Sequence, residues 1–158
     1  MSYHQSRSDS PVRIEVVPYG SELYWRTIDI RRDVLRKPLG LDFTAEDLHD
    51  DPVNHHFIAL IAPQAVGALV LVPEARGWAK IRQVAVLPEF QQKGIGSALM
   101  GAAHEYALRA GFNTIHLHAR IPAVQFYRRL GYYERGGIFT EIGIPHQDMW
   151  IPLKPLEG

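Results

Sequence analysis

The apolar pattern between residues 57 and 110 changes its period once, from that of strands to that of a helix. The runs at 57–62, 66–72 and 78–87 are short, rich in valine, isoleucine and leucine, and each is closed by a proline. From Ile95 the apolar residues recur every three to four positions and stop before Gly111, as in a helix with one buried face. Strands followed by a helix in this way favour a mixed α/β fold.

The remaining segments extend this pattern in both directions. Further elements are predicted as strands at 12–17, 114–119 and 149–153, a helix at 22–35 with Ser21 as its N-cap, and a short helix at 122–130. The order is βα, βββ, αβαβ and a final strand. It predicts one α/β domain with a central mixed sheet of about six to seven strands and helices on both faces. We expect residues 1–11 to be a flexible tail and 12–158 to be the single domain.

Composition excludes several classes of protein. The 158 residues contain no cysteine, which excludes disulfides, thiolate metal sites and cysteine nucleophiles. Basic and acidic residues number 17 each, so we expect no nucleic-acid binding through a globally basic surface. The polar first ten residues lack the apolar core of a signal peptide, and no apolar run approaches the roughly 18 residues of a membrane span. We therefore expect a cytoplasmic protein with no membrane partner.

The zero net charge is a cancellation between two parts of the chain. Residues 76–135 contain nine basic and three acidic residues, a net charge of +6, and the rest of the chain carries −6. A basic segment suits an anionic ligand, and an acidic remainder would suit a cationic substrate. The basic pair Arg31-Arg32 is interpreted as part of a solvated helix face.

The connection from strand to helix at residues 84–100, VAVLPEFQQKGIGSALM, carries the main functional signal. The alternation of apolar and polar residues gives way to three apolar residues at 84–86, which predicts that the end of this strand is buried. The unpaired N–H groups and positive dipole of a helix N-terminus attract anions, and glycines let a phosphate approach the backbone. The loop is not a Walker loop, which needs Gly-Lys-Ser/Thr, nor a dinucleotide fingerprint, whose third glycine would replace Leu99.

Through Gln91, Gly94 and Gly96 this loop resembles the Gln/Arg-x-x-Gly-x-Gly/Ala signature of the GNAT superfamily of N-acetyltransferases. About 30 residues downstream, AVQFYRRLGY at 123–132 resembles that family's A-x-x-x-Y-x-x-x-G-F/Y segment. Arg120 departs from the asparagine found in many members. The closing segment FTEIGIPHQDM resembles a subgroup of small bacterial members whose substrates are generally unassigned.

The resemblance implies a GNAT-like domain that uses acetyl-coenzyme A. It implies that the strand end pairs with the pantetheine arm and that the loop binds the pyrophosphate through backbone N–H groups. Tyr127 would be the general acid that protonates the departing thiolate. The residues implied to bind the cofactor are Val84, Ala85, Val86, Gln91, Gln92, Lys93, Gly94, Ile95, Gly96, Ser97 and Tyr127.

The base that takes the proton of the attacking amine is left open. Glu141, His118, His116 and water are the candidates. His116 and His118 share one face of a strand, and together with His146 they offer a three-histidine metal site. Because the family needs no metal, we expect none.

The predicted function is therefore transfer of the acetyl group of acetyl-coenzyme A to a primary amine, by direct attack in a ternary complex. The acceptor is a small-molecule amine or a peptide. A non-catalytic, acyl-coenzyme A-binding regulatory module is the alternative, and the resemblance also allows a homodimer.

Overall fold

The computed structural model describes residues 11–154, which form seven strands and three α-helices. The strands are β1 Arg13–Val17, β2 His55–Ile61, β3 Gln64–Pro73, β4 Trp78–Val86, β5 Thr114–Arg120, β6 Tyr133–Glu141 and β7 Ile144–Pro152. The helices are α1 Glu22–Leu35, α2 Ile95–Arg109 and α3 Val124–Arg129. Residues 1–10 of the predicted tail lie outside the described residues.

All seven strands belong to one sheet, in the order β1-β2-β3-β4-β5-β7-β6. β4 and β5 run parallel, whereas the pairs β1–β2, β5–β7 and β6–β7 are antiparallel. The prediction of a mixed sheet of about six to seven strands is therefore confirmed. Within this sheet the chain forms two compact units, one of residues 11–70 and 83–102 and the other of residues 71–82 and 103–154.

In the first unit, α1 begins and ends where the sequence predicts. The Ser21 hydroxyl accepts a 3.2 Å hydrogen bond from the backbone N–H of Tyr24, which satisfies one of the free donors at the helix start. Buried residues follow at the spacing of one helix face: Tyr24, Thr27, Ile28 and Arg31. Tyr24 and Ile28 pack with Val17 of β1 in the core of this unit.

Arg31 is buried, so the prediction of a solvated helix face is wrong at this residue. It is 1% exposed, and its Nη1 lies 3.1 Å from Oδ2 of Asp51, which is 3% exposed. The Tyr24 hydroxyl donates a 2.6 Å hydrogen bond to the same Oδ2 atom. The His56 side chain bonds through Nε2 to the Asp51 backbone oxygen at 2.8 Å. The arginine is buried because a carboxylate compensates its charge.

Helix α2 lies close to the strands of the first unit. A Cβ atom added to Gly67 of β3 would stand 3.0 Å from Leu99 Cδ1 and 3.1 Å from the Ala85 backbone oxygen. A larger residue at position 67 would therefore push against both α2 and β4. The absence of a side chain at Gly67 thus lets Leu99 of α2 and the backbone of β4 approach β3 closely.

In the second unit, β5 alternates strictly between the core and the opposite face of the sheet. Ile115, Leu117 and Ala119 are buried, whereas His116 and His118 lie on the other face. The last strand, β7, starts at Ile144 rather than at the predicted residue 149. It pairs with β6 across a two-residue turn in which both residues have positive φ, as tight hairpins require.

The pKa of His104, in α2, is lowered by burial. Its Nε2 shares a 2.6 Å hydrogen bond with the Tyr132 hydroxyl. Because the native state disfavours the protonated ring, the unfolded chain binds more protons at acidic pH. At pH values above the ordinary histidine pKa of about 6.5, the ring is neutral in both states and the folded state pays no cost for burying it. As the pH falls below about 6.5, the unfolded chain takes up a proton that the folded state disfavours, and the folded state loses stability.

We expect the free energy of unfolding to decrease between about pH 7 and pH 5, by about 1.4 kcal/mol for each unit by which the pKa of His104 is lowered. Urea denaturation at several pH values measures this decrease. His104→Gln should reduce the pH dependence without abolishing it, because burial also lowers the pKa values of His55 and His56. His49→Gln, at an exposed histidine beside Asp50, should leave the pH dependence as it is. Equal pH slopes for His104→Gln and the unmodified chain would contradict this assignment.

Candidate active site

β4 is irregular where it approaches the predicted cofactor site. Gln83 has a left-handed backbone, with a φ of 54°, which is uncommon for a residue other than glycine. Its side-chain oxygen accepts a 2.6 Å hydrogen bond from Nε of Arg31, the buried arginine of α1. This hydrogen bond fixes the side chain of Gln83 and so supports its distorted backbone. Local distortions of this kind often occur next to functional sites.

β4 also extends beyond its pairing with β5. The last paired residues are Ile81 and Leu117, and β4 continues five residues further, to Val86. The predicted cofactor residues Val84, Ala85 and Val86 form this extension. Ala85 is buried but the two valines are only half-buried, so the predicted burial of the whole strand end is wrong. The alternation of a strand places the valines on the opposite face from Ala85.

The loop after β4 is a series of tight turns. A single 3-10 turn, Pro88–Phe90, follows the strand. The side chain of Gln91 then donates a 2.9 Å hydrogen bond from Nε2 to the backbone oxygen of Val86. Gln92 and Gly94 both have left-handed backbones, with φ values of 63° and 83°. Gln91 therefore ties the loop to the strand end, a structural contact that the sequence pattern did not predict.

The turn leads directly into the N-terminus of α2. A Cβ atom on Gly94 would meet nothing within 4 Å, so the left-handed backbone rather than crowding requires glycine here. The first helical hydrogen bond runs from Ala98 N–H to the Gly94 oxygen at 3.0 Å. The N–H groups of the first three helical residues precede it and have no acceptor within the helix. The predicted loop residues 91–97 thus combine free donors, the positive helix end and the exposed Lys93.

Tyr127, the predicted acid, is a buried residue of α3 in the second unit. It is 8% exposed, and its ring packs edge-on against Phe126 and Tyr132, with centroid distances of 5.0 and 5.8 Å. Burial raises the pKa of Tyr127 to about 12. The phenol is protonated at neutral pH, as a general acid must be, and the raised pKa makes it a weaker acid than a solvated phenol.

Two of the candidate bases, His118 and Glu141, form a pair. Nδ1 of His118, in β5, lies 2.7 Å from Oε1 of Glu141, at the end of β6. Burial alone would raise the pKa of the Glu141 carboxyl, but the hydrogen bond from His118 and the charges of His118, His146 and Lys80 lower it. Glu141 is therefore ionised at neutral pH and orients the ring of His118.

The structure assembles His116 and His118 with Asp148 of β7 rather than with His146. One ligand atom from each of these three residues lies within 4.8 Å of the others. His146 instead bonds through Nδ1 to the Ile144 backbone oxygen at 3.0 Å. The antiparallel register explains the difference, because Asp148 stands directly across from His118. The three-histidine combination considered from the sequence is therefore wrong.

Comparison with known proteins identifies the family. The family model described as the acetyltransferase (GNAT) family matches residues 19–132. The chain belongs to this family. The resemblance drawn from the two motifs is thereby confirmed, and the family is one of acetyltransferases.

The relatives found by sequence are matched over part of their length. An uncharacterized N-acetyltransferase of Methanocaldococcus jannaschii is 38% identical over 65 residues, which cover 39% of this chain and 29% of the relative. An uncharacterized N-acetyltransferase of Bacillus subtilis, YjcF, is 32% identical over 74 residues, which cover 46% of this chain and 53% of the relative. The matched segments therefore span roughly a third to a half of these proteins.

Solved structures with the same fold match nearly the whole of this GNAT chain. A candidate N-acetyltransferase from Lactobacillus plantarum has a TM-score of 0.81 at 24% identity, covering 90% of this chain and 99% of that one. A Bacillus subtilis acetyltransferase in complex with CoA has a TM-score of 0.69 at 20% identity, covering 91% and 100%. At these identities the likeness concerns the fold. Within residues 11–154, no helix combines the length and apolar character needed to cross a membrane.

Proposed function

We propose that this chain transfers the acetyl group of acetyl-coenzyme A to a primary amine by direct attack in a ternary complex. The observation that carries the proposal is the loop at residues 91–97. In this loop Gly94, which has a left-handed backbone, directly precedes the first residue of α2. A helix N-terminus that follows an exposed, glycine-containing turn suits a pyrophosphate. The family to which the chain belongs supports coenzyme A as the carrier of that pyrophosphate.

The cofactor would be held at two places on the first unit. The backbone N–H groups at the start of α2 would bind the pyrophosphate, with Lys93 adding a positive charge. The extension of β4 at Val84, Ala85 and Val86 would pair with the amide groups of pantetheine, as an added strand pairs with a sheet edge. A backbone N–H of this extension would also bond the thioester oxygen, on which negative charge grows during attack.

Protons must move at the amine and at the sulfur. A cationic amine must lose one proton before its nitrogen can attack the carbonyl carbon and a second once that bond has formed, and the sulfur of coenzyme A must gain one when the C–S bond breaks. We assign the protonation of the sulfur to Tyr127, because the family resemblance implies a general acid at this residue and its phenol is protonated at neutral pH. His118 and Glu141 remain candidates for deprotonating the amine, supported by the 2.7 Å hydrogen bond between them, and so do His116 and water.

The acceptor is proposed to be a cationic amine, on a small molecule or a peptide. The choice of a cationic amine rests on how charge is divided along the chain. The residues before 76 and after 135 together have a net charge of −6. An acidic surface would concentrate cationic amines. Faster turnover of neutral or acidic acceptors than of cationic amines would refute this choice.

Calorimetric titration with acetyl-coenzyme A tests the cofactor site. We expect Gly94→Ala to weaken binding by at least about tenfold, or about 1.4 kcal/mol, because the methyl group disturbs the left-handed turn and faces the phosphates. Gly40→Ala is the matched control, since Gly40 also has a left-handed backbone, with a φ of 72°, and open space around it. Both variants should lose similar stability, but only Gly94→Ala should lose affinity. Unchanged affinity in Gly94→Ala would place the cofactor elsewhere.

A further inference from the structure

Two strands of the second unit present a cluster of two histidines and a carboxylate on one sheet face. β5 contributes His116 and His118, and β7 contributes Asp148, which is the cross-strand neighbour of His118. Each of the three side chains offers a ligand atom within 4.8 Å of the other two. The side chains of His116 and Asp148 are 12% and 18% exposed. The acyl-transfer function proposed above requires none of this arrangement beyond His118.

The second nitrogen of each imidazole ring is already bonded to a carboxylate. Nε2 of His116 lies 2.7 Å from Glu74 Oε1, and Nδ1 of His118 lies 2.7 Å from Glu141 Oε1. Because an ionised carboxylate only accepts hydrogen bonds, each of these ring nitrogens carries the proton. In a neutral ring the lone pair is then on the opposite nitrogen, Nδ1 of His116 and Nε2 of His118. Metal-binding histidines are oriented by carboxylates in this way.

The atoms that face the centre of the cluster lack partners. Nδ1 of His116 and Oδ1 of Asp148 are buried side-chain atoms without a hydrogen bond. They stand 3.7 Å apart, too far for a hydrogen bond between them. The other carboxylate oxygen of Asp148 accepts a 2.7 Å hydrogen bond from Nε of Arg135. Two electron-pair donors thus face each other in a partly buried place, an arrangement that a bound cation stabilises.

We propose that His116, His118 and Asp148 form a binding site for a divalent transition metal, with zinc as the expected ion. Two imidazoles and one carboxylate are a donor set of catalytic zinc sites, which keep a fourth position for water. Ligands about 2.0–2.2 Å from a tetrahedral zinc ion are about 3.3–3.6 Å from one another. The 3.7 Å distance between Nδ1 of His116 and Oδ1 of Asp148 is near this value. The widest distance between ligand atoms of the three residues, 4.8 Å, would have to shorten by about 1.3 Å when zinc binds.

The proposed metal site limits which residue can act as the general base. A metal on Nε2 of His118 would occupy the lone pair that a base needs, so His118 cannot serve in both roles at once. The metal site also goes beyond the proposed function, because coenzyme A binding by residues 91–97 does not depend on it. Failure of one proposal is therefore distinguishable from failure of the other.

Metal titration of the full chain tests the site. After treatment with a chelator, we expect one Zn²⁺ to bind per chain by calorimetry, and Co²⁺ to give the visible absorption of a tetrahedral complex. Glu74→Gln removes the carboxylate that orients His116 and should weaken zinc binding by about 10–100-fold. Asp148→Asn should weaken it at least as much, while the control His49→Gln, at an exposed histidine, should leave it unchanged.

Circular dichroism of each variant separates loss of the site from loss of the fold, and Glu74→Gln alters a partly exposed side chain that the fold does not bury. Absence of saturable one-to-one zinc binding to the unmodified chain would overturn the proposal. So would zinc binding that Glu74→Gln and Asp148→Asn leave unchanged, or that His49→Gln weakens equally.

Discussion

Replacing Tyr127 by phenylalanine is expected to lower turnover by about 10²–10⁴-fold and to change the affinity for acetyl-coenzyme A far less, because the variant keeps the ring and loses only the hydroxyl. The substitution removes only the hydroxyl, and the ring can keep its edge-on packing against Phe126 and Tyr132. Without the phenol proton, the thiolate of coenzyme A must leave unprotonated or take its proton from water. Steady-state rates of thiol release, together with calorimetric affinity, measure the two quantities separately.

Tyr132→Phe is the matched control for this prediction. Tyr132 is a second buried tyrosine whose hydroxyl bonds to His104, and burial also raises its pKa. Its substitution should lower stability but not turnover per folded molecule. Turnover of Tyr127→Phe equal to that of the unmodified chain would remove Tyr127 from the mechanism.

Replacing Asp51 by alanine is expected to lower the free energy of unfolding by about 3–5 kcal/mol, because it leaves the buried charge of Arg31 uncompensated. The Tyr24 hydroxyl would lose its acceptor in the same change. Asp42→Ala is the control, since Asp42 pairs with the neighbouring Arg32 at the surface, where solvent screens the interaction. Denaturant titration followed by circular dichroism measures both variants.

If Asp51→Ala does not fold, Asp51→Asn provides a milder change that keeps the shape and removes the charge. The double variant Arg31→Met with Asp51→Leu should recover much of the lost stability, because it removes both charges together. A loss in Asp51→Ala no larger than that in Asp42→Ala would show that the buried pair is not the determinant of stability that we assign.

Local signals in the sequence predict most of the elements. The Ser21 cap and the apolar spacing after it locate α1 to the residue, and the change of period locates β2, β3, β4 and α2 within a few residues. The glycines at 94 and 96 likewise predict the turn before α2, and Gly94 has the left-handed backbone that favours glycine. These features depend on residues that are close together in the chain.

The features that could not be predicted depend on contacts between distant segments. Arg31 belongs to a run of basic residues, and only the fold brings Asp51, 20 positions later, against it. The face shared by His116 and His118 follows from strand periodicity, but their third neighbour depends on the register of β7. That register places Asp148 opposite His118 and His146 opposite Arg120.

Amine-dependent release of the coenzyme A thiol is the measurement that tests the central claim most directly. Purified protein would be incubated with acetyl-coenzyme A and a panel of amines and peptides, and the thiol would be followed over time. We predict that at least one amine raises release well above hydrolysis, with one thiol formed for each acetylated amine. If acetyl-coenzyme A binds but no acceptor raises release above background, the chain is a non-catalytic acyl-coenzyme A-binding module.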